Sequence, residues 1–344
     1  MIPASKPRFP GDRGKPPAGA RAGHTPPDAA RHAEMLANRV RKTFARLQPG
    51  LERAAIGAFR LYDRDIPEVR AVVDWYEGHL VVAEYERTQT AAIADYVETL
   101  ARAAARALDV PPARLHVRRR RTRPAQGPRY GRIASTGRRL EVREGDLRFL
   151  VNLDDYVDTG LFPDHRLTRG LVRRESRGKR FLNLFAYTGS FTCAAAAGGA
   201  SSTTSVDRSE AYLRWARDNL EHNGLWDQRH ELAAVDVEPF LARARRAGRT
   251  WDLCVCDPPS FSTGAGAPGF DVQRDHRRLV ESALAALGPG GVLYFSTSHQ
   301  RFEPSLDALP AARAEELTAR TVPEDYRNRA VHRCWRIVRL GTNT

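Results

Sequence analysis

The stretch RFLNLFAYTGS, at residues 180–190, decides the fold because it joins a strand to a helix through a short turn. The apolar run over 180–185 is typical of a strand that is covered on both faces. The residues from Ser190 to Ala197 predict a helix. A doubly wound α/β sheet binds its cofactor at such a strand-to-helix turn, so we expect a cofactor here.

The same alternation of strand and helix continues from about residue 160 to the C-terminus. Strands are predicted at 180–185, 202–206, 230–234, 251–256, 291–296, roughly 315–321 and 334–338. Helices are predicted at 190–197, 209–223, 237–247, 272–287 and near 304–309. Five strand–helix units followed by two strands predict a Rossmann-like, seven-stranded α/β sheet with ligands at the carboxyl ends of its strands.

A smaller α+β domain is predicted ahead of this sheet, over residues 28–125. It is predicted to contain a helix at 28–47, strands at 58–62, 69–76 and 79–85, a helix at 91–108 and a strand at 114–117. Glu77-Gly78 signals a hairpin. Residues 126–160 are predicted to be a linker with a second hairpin around Glu144-Gly145-Asp146, and 161–344 the domain of the large sheet. The Pro- and Gly-rich residues 1–27 predict a disordered basic tail.

Composition excludes several classes of protein. None of the 344 residues belongs to an apolar run approaching the length of a membrane span. The first 30 residues lack the apolar core of a secretory signal, so we expect a cytoplasmic protein. The four cysteines are too few for a disulfide scaffold and lack a second ligand cluster. We therefore expect Cys254 and Cys256 to fill the core, and no metal.

The net charge of +14 is concentrated before the large sheet. The stretch from Arg114 to Arg143 holds eleven arginines and one acid, Glu141. Such a local charge attracts polyanions and predicts nucleic-acid binding, with a solvated arginine-rich face as the alternative. The predicted RNA contacts, expected in a loop, are Arg118, Arg119, Arg120, Arg121 and Arg123.

The turn after residue 185 contains a single glycine, Gly189. A dinucleotide pyrophosphate needs a richer glycine pattern, so the turn favours a cofactor without phosphate, such as S-adenosylmethionine. Asp207, after the next strand, can accept hydrogen bonds from ribose hydroxyls. Asp207 also fits a helix N-cap with Glu210 at the third helical position. Asp236 has the same two interpretations: contact with an adenine amino group, or a cap of the following helix.

The segment DPPSFS, at residues 257–262, follows the fourth strand of the large sheet directly. Two prolines fix a rigid turn with few hydrogen-bond donors. Such a turn can present Asp257 and backbone carbonyls to the N–H groups of a planar base, while Phe261 stacks on it. We therefore predict the catalytic residues Asp257, Pro258, Pro259 and Phe261.

Together these segments resemble class I S-adenosylmethionine-dependent methyltransferases. More narrowly, they resemble the guanine-N7 methyltransferase half of the bacterial 23S ribosomal RNA methyltransferase K/L family. The strings that carry this resemblance are AEMLANR (33–39), DTGLF (158–162), DHR (164–166), residues 181–190, DPPSFS (257–262) and FDVQRDH (270–276). The family's fused form carries a THUMP module and a guanine-N2 methyltransferase ahead of this half, and we expect that second activity to be missing. The loop TGAGAPG (263–269) departs from the family's Asn/Ser/Lys-containing loop.

The resemblance implies a class I methyltransferase sheet with a small domain before it. It also implies a set of cofactor contacts. These are Thr159, Phe162, Asn183, Phe185, Ala186, Tyr187, Gly189, Asp207, Asp236 and Asp257.

The predicted function is methylation of an extruded guanine of 23S ribosomal RNA at N7, with S-adenosylmethionine as cofactor. Guanine N7 has a free lone pair and needs no general base, whereas cytosine C5 needs a cysteine nucleophile. No cysteine follows Asp257 or the fifth strand closely. The alternatives are methylation at another atom (cytosine C5 or guanine N2) and a non-catalytic ribosome assembly factor. The expected partner is 23S ribosomal RNA or a pre-ribosomal particle, with no membrane, no metal and a monomeric chain.

Overall fold

The computed structural model describes residues 28–85, 90, 93, 95–120, 134–262, 269–307, 309 and 311–341. The amino-terminal elements are α1 (Ala29–Arg53), β1 (Ala58–Asp63), β2 (Ala71–Tyr76), β3 (His79–Tyr85), α2 (Tyr96–Ala107) and β4 (Leu115–Arg120). The strands form one sheet in the order β1-β2-β3-β4, in which only β4 runs parallel to its neighbour. The predicted hairpin turn is confirmed: Glu77 and Gly78 both have positive φ, at 45° and 85°, as a two-residue hairpin loop favours.

The two long helices cover one face of this small sheet. Leu36 and Val40 recur at helical spacing on α1 and are fully buried, as is Leu100 on α2. They join Phe59 and Val73 of the sheet in one core. The core explains why the helices form here, since amphipathic helices are stabilised mainly by the packing of their apolar face.

A hairpin of β5 (Leu140–Glu144) and β6 (Leu147–Val151) connects the small sheet to the rest of the chain. Its buried Val142 and Phe149 share a core with Tyr76 of the small sheet and Leu220 of the large domain. The hairpin is therefore sandwiched between the two units. The domain boundaries at 125 and 160 stay predictions, and the tail at 1–27 lies outside the described residues.

The second half of the chain forms the large sheet. Its elements are α3 (Arg166–Glu175), β7 (Arg180–Leu184), α4 (Ser190–Ala197), β8 (Ser202–Asp207), α5 (Glu210–His222), β9 (His230–Ala234), α6 (Val237–Arg246), β10 (Trp251–Cys256), β11 (Phe261–Ser262), β12 (Phe270–Asp271), α7 (Val272–Ala285), β13 (Leu287–Thr297), β14 (Ala312–Glu316), α8 (Thr318–Thr321) and β15 (Arg333–Arg339). The order is β14-β15-β13-β10-β7-β8-β9. Five neighbouring strands, from β13 to β9, are parallel, and β15 is antiparallel to both its neighbours.

Alternate residues of the central strands face two different cores, as expected for a parallel sheet covered on both sides. Leu182 and Cys254 pack with α6 and α7 on one face. Phe181 and Val255 pack with α3 and α4 on the other. The predicted seven-stranded, Rossmann-like α/β fold with a smaller amino-terminal unit is confirmed.

Two local predictions were wrong, and one helix was not predicted. The sixth strand covers 312–316 instead of 315–321, and one turn of helix follows it. Helix α3 was missed, because its inward face is built from Thr168 and Arg169 as well as Val172. The described residues near 304–309 are not helical, since side chains of α7 bind the backbone N–H groups of Glu303 and Ser305.

Charged groups fasten the small unit to the large one. The carboxylate of Asp325 accepts a hydrogen bond from the backbone N–H of Arg60 in β1 at 2.9 Å. The other carboxylate oxygen accepts one from the guanidinium of Arg166 in α3 at 2.6 Å. The Arg60 guanidinium lies over the ring of Tyr326, 4.6 Å from its centre. This buried pairing ties β1 to the start of α3, next to the candidate site.

Among the described helices, none is long and apolar enough to cross a membrane.

Candidate active site

The turn after β7 has a strained backbone. Phe185, Tyr187 and Gly189 all have positive φ, at 57°, 50° and 75°. This region is uncommon for aromatic residues and costs free energy, and such strain clusters at functional sites. The N–H of Tyr187 donates to the carboxylate of Asp207 at 3.0 Å, which ties the turn to the end of β8.

Gly189 is required for close packing. A Cβ at Gly189 would lie 2.7 Å from the Cβ of Ala216 in α5, so a side chain does not fit. The residue is buried, and its backbone sits at the N-cap of α4. Gly189 therefore shapes the turn, while its predicted contact with the cofactor stays a prediction.

Asp207 is held at the end of β8 by backbone donors. One carboxylate oxygen accepts from Tyr187 and the other from the N–H of Ser209 at 2.9 Å. Burial raises the pKa of Asp207, although these two N–H groups oppose the rise. The predicted cap at Asp207 was wrong by two residues, because the N-cap of α5 is Ser209, whose hydroxyl accepts from the N–H of Tyr212.

Asp236 occupies the N-cap position of α6, but its side chain accepts no capping hydrogen bond. The residue is exposed and follows the carboxyl end of β9, next to the strand that ends at Asp207. The geometry therefore disfavours the capping interpretation. The predicted contact of Asp236 with an adenine amino group stays a prediction.

Asp257 follows β10 at the centre of this edge. Its side chain is 25% exposed, and Oδ1 accepts a hydrogen bond from the Ser296 hydroxyl at 2.6 Å. Pro258 is buried and Pro259 is half-buried. Phe261 is 43% exposed, with its ring edge-on to His299 at 5.7 Å. The structure thus leaves the carboxylate of Asp257 and the ring of Phe261 accessible after β10, and their catalytic role stays a prediction.

The DTGLF segment lies beside the β7 turn. Gly160 has φ of 98°, and a Cβ there would lie 2.4 Å from Trp215, so only glycine fits. Thr159 is buried, with its hydroxyl 3.1 Å from that of Tyr76 in β2. Phe162 is 42% exposed, and its ring lies 5.5 Å from that of Tyr187. The rings of Phe162 and Tyr187 therefore pack against each other, and Tyr76 of the small sheet contacts the same segment through Thr159.

Asn183 is placed differently from its prediction. Its side chain is buried, and its amide donates to the Thr192 hydroxyl at 2.9 Å, joining β7 to α4. Thr192 in turn pairs with the Ser205 hydroxyl at 2.7 Å. This placement favours a structural role for Asn183 over direct contact with a cofactor. Ala186 is also buried, whereas Phe185 is half-buried and packs near Phe270.

The predicted arginine loop needs correction. Arg118 belongs to β4 and is buried, and its guanidinium donates to the carbonyls of Leu153 and Val157 at 2.7 and 2.6 Å. It therefore holds the segment before DTGLF and does not face RNA. Arg119 and Arg120 also lie in β4. Arg121 and Arg123, and residues 263–268 of the TGAGAPG loop, lie outside the described residues.

In the folded chain, several arginines of the 114–143 stretch pair with acidic residues from outside it. Arg143 pairs with Glu77 at 2.9 Å and with Glu52 at 3.2 Å. Arg138 pairs with Asp154 at 3.0 Å, and Arg139 pairs with Asp218 at 2.5 Å. The side chains described in this stretch are thus partly neutralised by distant carboxylates, which weakens the charge argument for RNA binding.

The FDVQRDH string serves local structure. Asp271 caps α7 by accepting from the N–H of Gln273. Gln273 binds the backbone of Glu303 through two hydrogen bonds, and Nε2 of the buried His276 accepts from the N–H of Ser305. The string therefore fixes the segment after β13, and the buried His276 is part of that contact.

Sequence reasoning missed a buried histidine pair beside Asp257. His165 and His332 stack with ring centres 4.2 Å apart and planes 15° apart. Nδ1 of His332 lies 2.9 Å from Oδ2 of Asp164, and Nε2 of His165 lies 3.6 Å from Oδ2 of Asp257. Potential ligand atoms of Asp164, His165 and His332 lie within 4.8 Å of one another. The DHR string was the available signal, but His332 is distant in sequence.

All four cysteines are buried and unpaired in disulfides. Burial raises the pKa of Cys193 to about 12 and that of the other three further. Thiolates are the nucleophilic form, so these are poor nucleophiles. Cys254 and Cys256 lie in the main core, which confirms their interpretation as apolar filler.

The strand order, the antiparallel β15 and the carboxylates at the ends of β8, β9 and β10 are those of a Rossmann-like methyltransferase. The family model for S-adenosylmethionine-dependent methyltransferases matches residues 58–324, and the chain belongs to this family. Its cofactor is S-adenosylmethionine.

Two relatives and one solved structure show which members of this family the chain is similar to. Ribosomal RNA large subunit methyltransferase K/L of Pseudomonas putida (strain GB-1) is 45% identical over 311 residues, which cover 89% of this chain and 42% of that protein. The protein of the same name from Methylococcus capsulatus is 42% identical over 329 residues, covering 93% and 44%. The chain thus spans less than half the length of these relatives. A crystal structure of a methyltransferase complexed with S-adenosylhomocysteine is similar in fold, with a TM-score of 0.73, 23% identity and coverage of 89% and 81%.

Proposed function

We propose that this protein methylates guanine N7 in 23S ribosomal RNA, in the cytoplasm, with S-adenosylmethionine as methyl donor. The observation that carries the proposal is that Asp257 and the ring of Phe261, in one short segment after the central strand β10, are both exposed to solvent, at 25% and 43%. The similarity to proteins named ribosomal RNA large subunit methyltransferase K/L supports the choice of RNA.

The residues at this edge fit a nucleoside cofactor. Asp207 has its carboxylate fixed by two backbone donors at the position where the family of folds binds ribose hydroxyls. Asp236 is exposed and makes no capping bond, so it is available to an adenine amino group. The rings of Phe162 and Tyr187 offer an apolar wall. S-adenosylmethionine supplies a methyl group on a positively charged sulfur.

Guanine N7 suits the chemistry of the residues present. N7 carries a lone pair and no proton, so methyl transfer needs approach geometry and charge stabilisation instead of a general base. Asp257 can accept from the N–H edge of guanine and stabilise the positive charge that forms on the base. Cytosine C5 would need a cysteine, and all four cysteines are buried with raised pKa values. This favours N7 over C5.

The RNA must present the target base outside a helix. N7 faces the deep, narrow major groove of A-form RNA, which side chains cannot read. Extrusion of the base costs a few kcal/mol. The exposed ring of Phe261 can stack on an extruded guanine. Arg119, Arg120, Arg121 and Arg123 stay proposed contacts to the flanking RNA.

Asp236 gives a direct test of the cofactor contacts. We expect Asp236→Ala to weaken S-adenosylmethionine binding about tenfold, because it removes a charged hydrogen-bond acceptor. Isothermal titration calorimetry measures the Kd. Glu238→Ala is the matched control: it removes an exposed acid in the first turn of the same helix and should leave the Kd unchanged. Equal Kd values for the Asp236→Ala variant and the wild-type protein would refute the contact between Asp236 and the cofactor.

Transfer of labelled methyl groups tests the proposal against the two alternatives. Purified protein is incubated with labelled S-adenosylmethionine and with 23S ribosomal RNA that lacks modifications. We expect label in the RNA. A non-catalytic assembly factor would bind RNA without transferring label, and methylation of guanine N2 or cytosine C5 would place label in a different nucleoside.

A further inference from the structure

Asp257 is held from one side by Ser296, and its second oxygen faces a buried imidazole. The Ser296 hydroxyl donates to Oδ1 at 2.6 Å. Oδ2 lies 3.6 Å from Nε2 of His165, which comes from the turn before α3. The distance exceeds a hydrogen bond, and catalytic contacts of this length often tighten when substrate binds.

His165 is itself fixed from several sides. It is buried, stacks on His332 and meets the edge of the Phe191 ring at 5.7 Å. The carboxylate of Asp164 lies 3.7 Å from its Nε2 and accepts from Nδ1 of His332 at 2.9 Å. His332 reaches Thr321 on α8 through its other nitrogen. The chain of contacts runs from α8 to Asp257 through two rings.

Electrostatics favour a neutral His165. Burial lowers the pKa of His165, and the neighbouring His332 lowers it further, while Asp257 and Asp164 oppose this. Nδ1 of His165 is buried without a hydrogen-bond partner among the described residues. Nε2 faces one carboxylate oxygen of Asp257 at 3.6 Å and one of Asp164 at 3.7 Å, so the negative charge beside it favours a proton on Nε2 over one on Nδ1.

We propose that His165 is a positioning residue for Asp257, with Nε2 restraining Oδ2 while Ser296 restrains Oδ1. This inference rests on the proposed function, because Asp257 must touch the substrate for its orientation to matter. The two restraints fix the plane of the carboxylate, and small errors in the placement of a reacting group reduce the rate strongly. Near-parallel stacked rings do not direct two nitrogen lone pairs at one ion, so positioning explains the cluster better than a metal does.

Three substitutions separate positioning from packing. His165→Phe keeps a ring that can stack on His332 but removes both nitrogens. His165→Gln places an amide N–H near the Nε2 position, and His165→Asn places one near the Nδ1 position. We expect His165→Phe and His165→Asn to lower kcat about tenfold or more with little change in KM for RNA or Kd for S-adenosylmethionine. We expect His165→Gln to recover most of the rate.

The matched control is His230→Gln. His230 is buried at the amino end of the edge strand β9, where Nδ1 contacts the Thr203 hydroxyl at 2.8 Å. His230 is buried like His165. It lies at the amino end of its strand, whereas the candidate site lies at the carboxyl ends of the parallel strands. Its replacement should leave kcat unchanged. Equal rates for all three His165 variants, at equal thermal stability, would overturn the proposal.

A double-mutant cycle tests whether His165 acts through Asp257. In an Asp257→Asn background, His165→Phe should cause little further loss of the residual rate, measured as total label in RNA whatever the nucleoside. Additive losses would overturn the proposal. A spectrum of ¹⁵N-labelled histidines tests the same contact without turnover: Asp257→Asn should shift the ring signals of His165 and spare His230. Failure of the proposed function would change the labelled nucleoside or abolish transfer, and would leave this spectral result intact.

Discussion

Asp257→Asn should reduce methyl transfer to RNA by about 10²–10³-fold, the usual loss when a group that stabilises transition-state charge is removed. The asparagine keeps the volume and an oxygen that can accept from Ser296, so the turn should retain its shape. It removes the negative charge that we place beside the guanine. Single-turnover kinetics with labelled S-adenosylmethionine measure the rate.

Asp252→Asn is the control for this experiment. Asp252 lies near the other end of the same strand, β10, where it pairs with Arg180 at 2.8 Å. Its replacement should leave the rate unchanged. Binding of S-adenosylmethionine should change far less than the rate in Asp257→Asn. Methyl transfer by Asp257→Asn at the unchanged rate would show that this carboxylate is not part of the chemistry.

Asp325→Ala should destabilise the protein by about 3–5 kcal/mol, because it leaves the charge of Arg166 buried without its partner. The side chains of Asp325 and Arg166 are 0% and 7% exposed and lie 2.6 Å apart. The substitution also removes the acceptor for the backbone N–H of Arg60. Chemical denaturation followed by circular dichroism measures the free energy of unfolding.

An exposed ion pair provides the contrast. Glu281→Ala removes the carboxylate that pairs with Arg277 one turn away on α7, and the two side chains are 39% and 47% exposed. We expect a change within about 0.5 kcal/mol. Denaturation of both variants at the same midpoint would mean that Asp325 does not hold the small sheet to α3.

Strand and helix patterns in the large domain were predictable because they depend on local apolar periodicity. The predicted helix at 190–197 and the strands at 230–234 and 251–256 agree with the structure residue for residue. Helix α3 was not predictable in this way, because Arg169 turns inward to pair with Glu144 and so breaks the apolar stripe. A buried ion pair cannot be recognised before its distant partner is known.

The candidate site was predictable only where a single segment carries it. Asp257 and Phe261 lie in one segment, and the structure leaves both accessible at the strand ends. The burial of Asn183 and Arg118 was not predictable, since it depends on Thr192 and on the carbonyls of Leu153 and Val157. Partnerships of this kind join residues from different elements and leave no pattern in the sequence.

Nucleoside mass spectrometry tests the central claim most directly. Unmodified 23S ribosomal RNA is incubated with the purified protein and S-adenosylmethionine, digested to nucleosides and compared with a reaction containing Asp257→Asn. We predict that 7-methylguanosine appears with the unchanged protein and is nearly absent with the variant. The appearance of N2-methylguanosine or 5-methylcytidine in its place, or of no methylated nucleoside, would contradict the assignment of guanine N7.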